Sequence, residues 1–161
     1  MRCSASLALP LAIVLLLAIP AQTLAQEGPP PETQRLGDWV GEWTYVIGDR
    51  SGTMKFEWFG ERLVRAEEVT TNGYEVLHVM GFDPDDEVYE WHRYWNNGFV
   101  DTAKGWLHEN TWTFLFDEPV GNKRRMTMAW ESMDEFSFKW ERSIEGGNWE
   151  VISEGRTTRV K

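Results

Sequence analysis

Turn-forming residues punctuate this chain at short, nearly even intervals, and that spacing leaves room for little besides short β-strands. The signals are "GDRSG" at 48–52, "FGER" at 59–62, "TNG" at 71–73, "DPDDE" at 83–87, "NNG" at 96–98, "HEN" at 108–110, "EPVGNK" at 118–123, "SMDE" at 132–135 and "EGGN" at 145–148. Asn-Gly pairs supply the positive φ that tight hairpins need, and Asp-Pro pairs preset a turn. Nine turns imply ten strands. From Trp43 onward the hydrophobic period is two, and no stretch of ten residues carries a helical stripe. Met54, Phe56 and Trp58 oppose Thr53, Lys55 and Glu57; Met126, Met128 and Trp130 oppose Arg125, Thr127 and Glu131; Phe136, Phe138 and Trp140 oppose Ser137, Lys139 and Glu141. Each strand therefore has one apolar face. A meander of such strands without covering helices must close on itself or leave exposed edges, and closure removes the edges. The pattern predicts an all-β fold: a single antiparallel up-and-down barrel of about ten strands, with a helical turn or two over 33–40 ahead of it. A two-sheet sandwich is the alternative that a period of two does not separate.

Ahead of the patterned region, Arg2, an apolar run from Leu7 to Ile19 and the small-residue stretch Thr23-Leu24-Ala25 read as a secretory signal peptide, residues 1–25. The run is short for a membrane span and is interrupted by Pro10 and Pro20, so export with cleavage after Ala25 is expected over a retained anchor. The expected destination is periplasmic or secreted, without membrane insertion after cleavage. Residues 26–35 contain "EGPPPE" and read as a Pro-rich tether, and 36–161 as the barrel domain. Cys3 is the chain's single cysteine, so the cleaved form has neither disulfide nor thiolate chemistry. Its formal charge moves from −10 to −11 when Arg2 is lost, which disfavours nucleic acid and anionic membrane surfaces as partners.

The stretch "VGEWTY" at 40–45 opens the first strand, and Gly41-Glu42-Trp43 resembles the Gly-x-Trp signature of lipocalins and the wider calycin group. In that group the Trp plugs the closed end of the barrel and an Arg of the last strand packs across its ring. The chain ends "SEGRTTRVK". On the parity set by Trp149 and Val151, Arg159 falls inward and Arg156 does not, so the resemblance assigns closure to Gly41, Trp43 and Arg159. With "WVGEW" in front and the E-G-x-x-x-R pattern behind, the chain is similar to a family of exported bacterial calycin-like domains of unknown function. It departs from lipocalins proper in having more strands, no disulfide and no room for a C-terminal helix. Nitrobindin-type barrels share the Gly-x-Trp opening and hold haem through a histidine near the C-terminus, but no histidine follows His108 here. No cofactor is expected on that ground, although His78 or His92 could in principle serve.

Ten Trp, eight Phe and the five Met of the cleaved chain either fill the barrel or line a cavity for a flat or oily ligand. The candidate ligand contacts are Phe56, Trp58, His78, Arg93, Trp112, Phe114, Met128, Trp130, Phe138 and Trp140. His78 shares a face with Tyr74, Val76, Met80 and Phe82, where a hydrogen-bonded core histidine is the ordinary outcome and a ligand or proton-transfer role the sharper one. The three histidines lie on separate strands, which argues against a metal site. Arg93 shares its face with Tyr89, Trp91 and Trp95. The sequence favours an outer face with a solvated, stacked guanidinium; an inner face would need Glu67, Asp101 or an anionic ligand head as partner. "DPDDE" lacks the Gly and distal Glu of a calcium loop, and no nucleophile elbow, phosphate loop or zinc-binding helix motif occurs. The catalytic residues are unknown from sequence. Three functions stay open: an exported binder of an apolar or aromatic small molecule, a barrel enzyme of isomerase or cyclase type using buried His, Arg or Glu, and an inert envelope protein. A buried carboxylate–histidine pair at the cavity floor would point to the enzyme, and an interior of aromatics and Met alone to the binder.

Overall fold

Ten antiparallel strands follow one another around a closed barrel in the computed structural model, which describes residues 28–161. The expected signal peptide lies outside the described residues. The strands are β1 (Gly41–Ile47), β2 (Arg50–Phe59), β3 (Leu63–Thr70), β4 (Glu75–Asp83), β5 (Val88–Trp95), β6 (Val100–His108), β7 (Thr111–Asp117), β8 (Lys123–Ser132), β9 (Glu135–Ser143) and β10 (Trp149–Arg159). Each pairs with its neighbours in sequence, and β10 closes on β1. All nine turns fall where their Gly, Asn, Asp and Pro residues predict, although the first is tighter, since Arg50, Ser51 and Gly52 are already in β2. The sandwich alternative is thereby excluded.

The sequence places a helical turn ahead of β1, and the structure has one: α1 (Pro31–Arg35), opened by a Pro at its first turn, runs into a 3₁₀ turn at Leu36–Trp39. This segment caps one end of the barrel. Leu36 and Trp39 are buried, and the Trp39 ring sits 5.4–5.7 Å from the rings of Phe56, Trp112, Trp130 and Phe136. The Tyr89 hydroxyl donates to the carbonyl of Glu32, tying α1 to β5.

Closure at that end accounts for the Gly-x-Trp spacing. Trp43 pairs with Arg159 across the β1–β10 seam, and the Arg159 guanidinium carbon lies 4.1 Å from the Trp43 ring centroid. Trp43 donates its indole N–H to the Trp39 carbonyl at 2.7 Å. Arg159 donates to the carbonyls of Asp38, Val40 and Met133, gathering the helical plug, β1 and the β8–β9 turn onto one fork. Gly41 has φ +138°, and a Cβ there would overlap the guanidinium, so both the backbone conformation and the space require glycine. Arg156 is exposed on the outer face with Glu131 and Glu135.

Candidate functional site

Alternation sends one face of every strand inward, but the interior is not uniform along the barrel axis. The end capped by α1 is solid. Trp43, Trp112, Phe114 and Phe136 are buried there, and Trp112 packs 4.5 Å from Tyr89. Gly105 on β6 makes room for this packing, since a Cβ at that position would overlap the Phe114 ring directly across the β6–β7 pair. The other half holds a cavity of about 390 Å³, open at the end where β1, β3, β5, β7 and β9 finish. That volume is far above a water-sized void and within the range of small-molecule sites.

Trp39, Phe56, Met128 and Phe136 line the lower part of the cavity, Met54, Trp91, Met126, Phe138 and Trp140 its walls, and Ile47, Tyr74, Trp95, Ile152 and Ser153 the mouth. Of the ten residues singled out from sequence, Phe56, His78, Arg93, Met128, Phe138 and Trp140 converge on it. Trp112, Phe114 and Trp130 do not; they sit in the packed half. Trp58 has the inward parity of Phe56, but at the end of β2 it lies 40% exposed over Gly37 of the plug, outside the cavity.

Two polar networks interrupt the aromatic lining. In the first, the Trp91 indole N–H donates to His78 Nδ1 at 3.0 Å, His78 Nε2 meets Glu68 Oε2 at 2.9 Å, and the Tyr45 hydroxyl donates to Glu68 Oε1 at 2.5 Å. The Trp91 donor fixes the tautomer: Nδ1 accepts, so the ring hydrogen is on Nε2 and points at the carboxylate. Both nitrogens of His78 are committed, and the ring is 2% exposed. Burial works to raise the Glu68 pKa, but the hydrogen bonds from His78 and Tyr45 and the nearby Arg93 charge outweigh it and hold the carboxyl below its ordinary range. Burial, reinforced by the bond to Glu68, pushes the Tyr45 phenol up.

The second network corrects the reading of Arg93. The sequence favours an outer, solvated guanidinium; the structure puts Arg93 inside, 5% exposed, because Tyr89, Trp91 and Trp95 on the same face are the inward residues of β5. Its partner is Asp101, directly across the β5–β6 pair, and not Glu67, which lies on the opposite face of β3 from the cavity-lining Glu68. Arg93 Nε donates to Asp101 Oδ1 at 2.8 Å and Nη2 to Oδ2, while Arg124 Nη2 donates to the same Oδ2 at 3.0 Å. Arg124 continues to Glu118 and Glu118 to Arg142. Four rings surround Arg93, with Phe116 and Trp140 nearest at 4.5 and 5.0 Å from its guanidinium carbon. Burial lowers the Arg93 pKa against the opposing pull of Asp101; burial would raise that of Asp101, but its two guanidinium partners hold it below the ordinary range.

Sequence reasoning missed Glu68, Tyr45, Arg124 and Trp39. Glu68 shares parity with Val64 and Ala66, both buried, and that alternation was the available signal. As for metals or haem, among the described residues no three His, Cys, Asp or Glu side chains are gathered as ligands. His78 would have to break a hydrogen bond to bind iron, and His92 lies on the opposite face of β5 beside Glu90.

The fold and site together define a closed ten-strand antiparallel barrel with one packed end and one half-open aromatic cavity. No family model and no curated protein matches the chain. Among solved structures, it is similar to Rv2717c from M. tuberculosis at 11% identity and TM-score 0.56, over 82% of this chain and 99% of that one. A further match is Tp0751 (pallilysin) of Treponema pallidum, at 15% identity and TM-score 0.35, over 80% of this chain and 83% of the other. At these identities the first likeness speaks to the fold alone.

Proposed function

We propose that the protein is an exported binding barrel of calycin type that takes an apolar or aromatic small molecule through its open end. The observation that carries this reading is the 390 Å³ cavity, whose walls are mostly aromatic and Met side chains although a solid core was equally open to a chain so rich in them. The Gly41–Trp43–Arg159 closure supports the calycin assignment. Native mass spectrometry of the protein purified from its own source is expected to show a co-purifying small molecule. Ligand-free protein that also ignores a broad panel of apolar compounds would favour the inert envelope reading. The intact mass of the exported form should lack the first 25 residues; full-length protein in the cytosol would refute export.

The Glu68–His78 pair supports a second reading, acid–base catalysis in the cavity, because a buried carboxylate–histidine pair is what such an enzyme needs. It lines the cavity wall, however, and His78 has no free nitrogen to offer a substrate. On the binding reading, the co-purifying molecule is recovered unchanged after incubation with fresh protein. Turnover that is lost in His78→Gln would establish the second reading instead.

A further inference from the structure

The two polar networks face the same cavity without joining. Glu68 accepts from Tyr45 and His78 through one lone pair on each oxygen, which leaves acceptor capacity on a side chain that lines the cavity and is 14% exposed. Arg93 uses Nε and Nη2 on Asp101. Its Nη1 makes no hydrogen bond among the described residues, and Arg93 lines the cavity. His78 and Arg93 are direct cross-strand neighbours, and Glu68 senses the Arg93 charge, yet no ion pair joins Glu68 to Arg93. An unused acceptor on β3 and an unused donor on β5 therefore stand apart on one wall, with β4 and its His78 between them.

The charge balance decides what can bridge them. Arg93, Arg124 and Arg142 alternate with Asp101 and Glu118, which leaves one positive charge along that chain, and Glu68 offsets it. Arg50, at the mouth, is exposed to water. An anionic ligand would add an uncompensated charge beside the Glu68 carboxylate, and burying such a charge is costly. A bare hydrocarbon would strip water from both the Glu68 oxygens and Arg93 Nη1 and return nothing.

Building on the binding reading, we propose that the cavity selects neutral ligands in which an aromatic body carries a carboxamide-like group, its carbonyl oxygen accepting from Arg93 Nη1 and its N–H donating to Glu68. Selectivity then comes from unsatisfied partners: a site built to hydrogen-bond a group rejects analogues that lack it.

Isothermal titration with naphthalene-2-carboxamide, naphthalene-2-carboxylate and 2-methylnaphthalene tests this. The wild-type protein is expected to bind the carboxamide at least about tenfold more tightly than either of the others, as the loss of a hydrogen bond to a charged group implies. In Glu68→Gln the cavity gains net positive charge, so the carboxylate should gain about tenfold and the preference should narrow or reverse. Should Glu68→Gln fail to fold by near-ultraviolet circular dichroism, the wild-type ranking alone decides. Carboxylate binding as tight as carboxamide binding, or equal affinity for all three, overturns this inference while leaving the binding reading in place. Absence of saturable binding by any of the three overturns both.

Discussion

Removing Arg159 should strongly destabilise the closed end, and its cost follows from what the guanidinium touches. It lies 4.1 Å from the Trp43 ring centroid, a partly desolvated cation–π contact worth about 2 kcal/mol. It also satisfies the carbonyls of Asp38 and Val40, where charged hydrogen bonds are worth about 1.5–3 kcal/mol each. Because the side chain is 21% exposed, water can refill part of the gap, so the lower end of that range applies, and the bond to the Met133 carbonyl is discounted as exposed. Arg159→Ala is therefore expected to cost about 4–5 kcal/mol, read by urea denaturation, and to lower Tm by roughly 12–20 °C. Arg159→Lys keeps the charge over the ring but loses the fork, and should recover less than half of the loss. The control is Arg156→Ala: its guanidinium is 58% exposed against Glu131 and Glu135, and such pairs contribute under about 1 kcal/mol. If Arg159→Ala proves no more destabilising than Arg156→Ala, Arg159 does not close the barrel.

The remaining predictions concern the interior. Asp101→Ala strands two guanidiniums, one of them buried, and should cost about 3–5 kcal/mol in chemical denaturation, whereas replacing Arg93 and Asp101 together by Met and Leu should cost less than the single change. Glu68 has a folded pKa below its ordinary 4.5, so the stability it provides is complete above about pH 4.5 and drains away as pH falls through the folded value; denaturation at stepped pH should show a shallower acid slope in Glu68→Gln than in the wild type. Trp112→Ala empties a fully buried position in the packed half and should cost about 3–5 kcal/mol of stability by the same assay.

Strand parity makes much of this architecture legible in the sequence. It separates inward from outward residues on β2, β8 and β9 and groups Arg93 with the aromatics of β5. On β10 it misleads: Trp149 and Val151 lie on the outer face, and Arg159 reaches the Trp43 side because a bulge between Val151 and Ser153 reverses the alternation. Parity does not give height along the barrel axis. Phe56 and Trp58 share a face, as do Met128 and Trp130, yet in each pair only the first lines the cavity, because height follows from strand tilt and register around the closed sheet. Nor does parity say which of two mixed faces is inner. On β5 the alternatives are Val88, Glu90, His92 and Tyr94 against Tyr89, Trp91, Arg93 and Trp95, and an arginine on one side weighs much like a Glu and a His on the other. Asp101 across the strand pair settles it by giving Arg93 a buried counter-charge. Glu68 is hidden for a related reason: Glu67 and Glu68 are adjacent, so the residue type alone does not say which turns inward.

Whether the cavity takes an apolar ligand is tested most directly by fluorescence titration with N-phenyl-1-naphthylamine, a neutral aromatic probe that brightens when shielded from water. Ser153 lines the mouth, facing inward across from Trp140, so Ser153→Trp should plug the opening with little disturbance to the core, while Lys139 lies on the outer face of β9. A ligand site inside the barrel predicts a saturable one-site rise in fluorescence for the wild type and for Lys139→Ala, and its loss in folded Ser153→Trp. A rise that never saturates, or one that Ser153→Trp leaves unchanged, would contradict it.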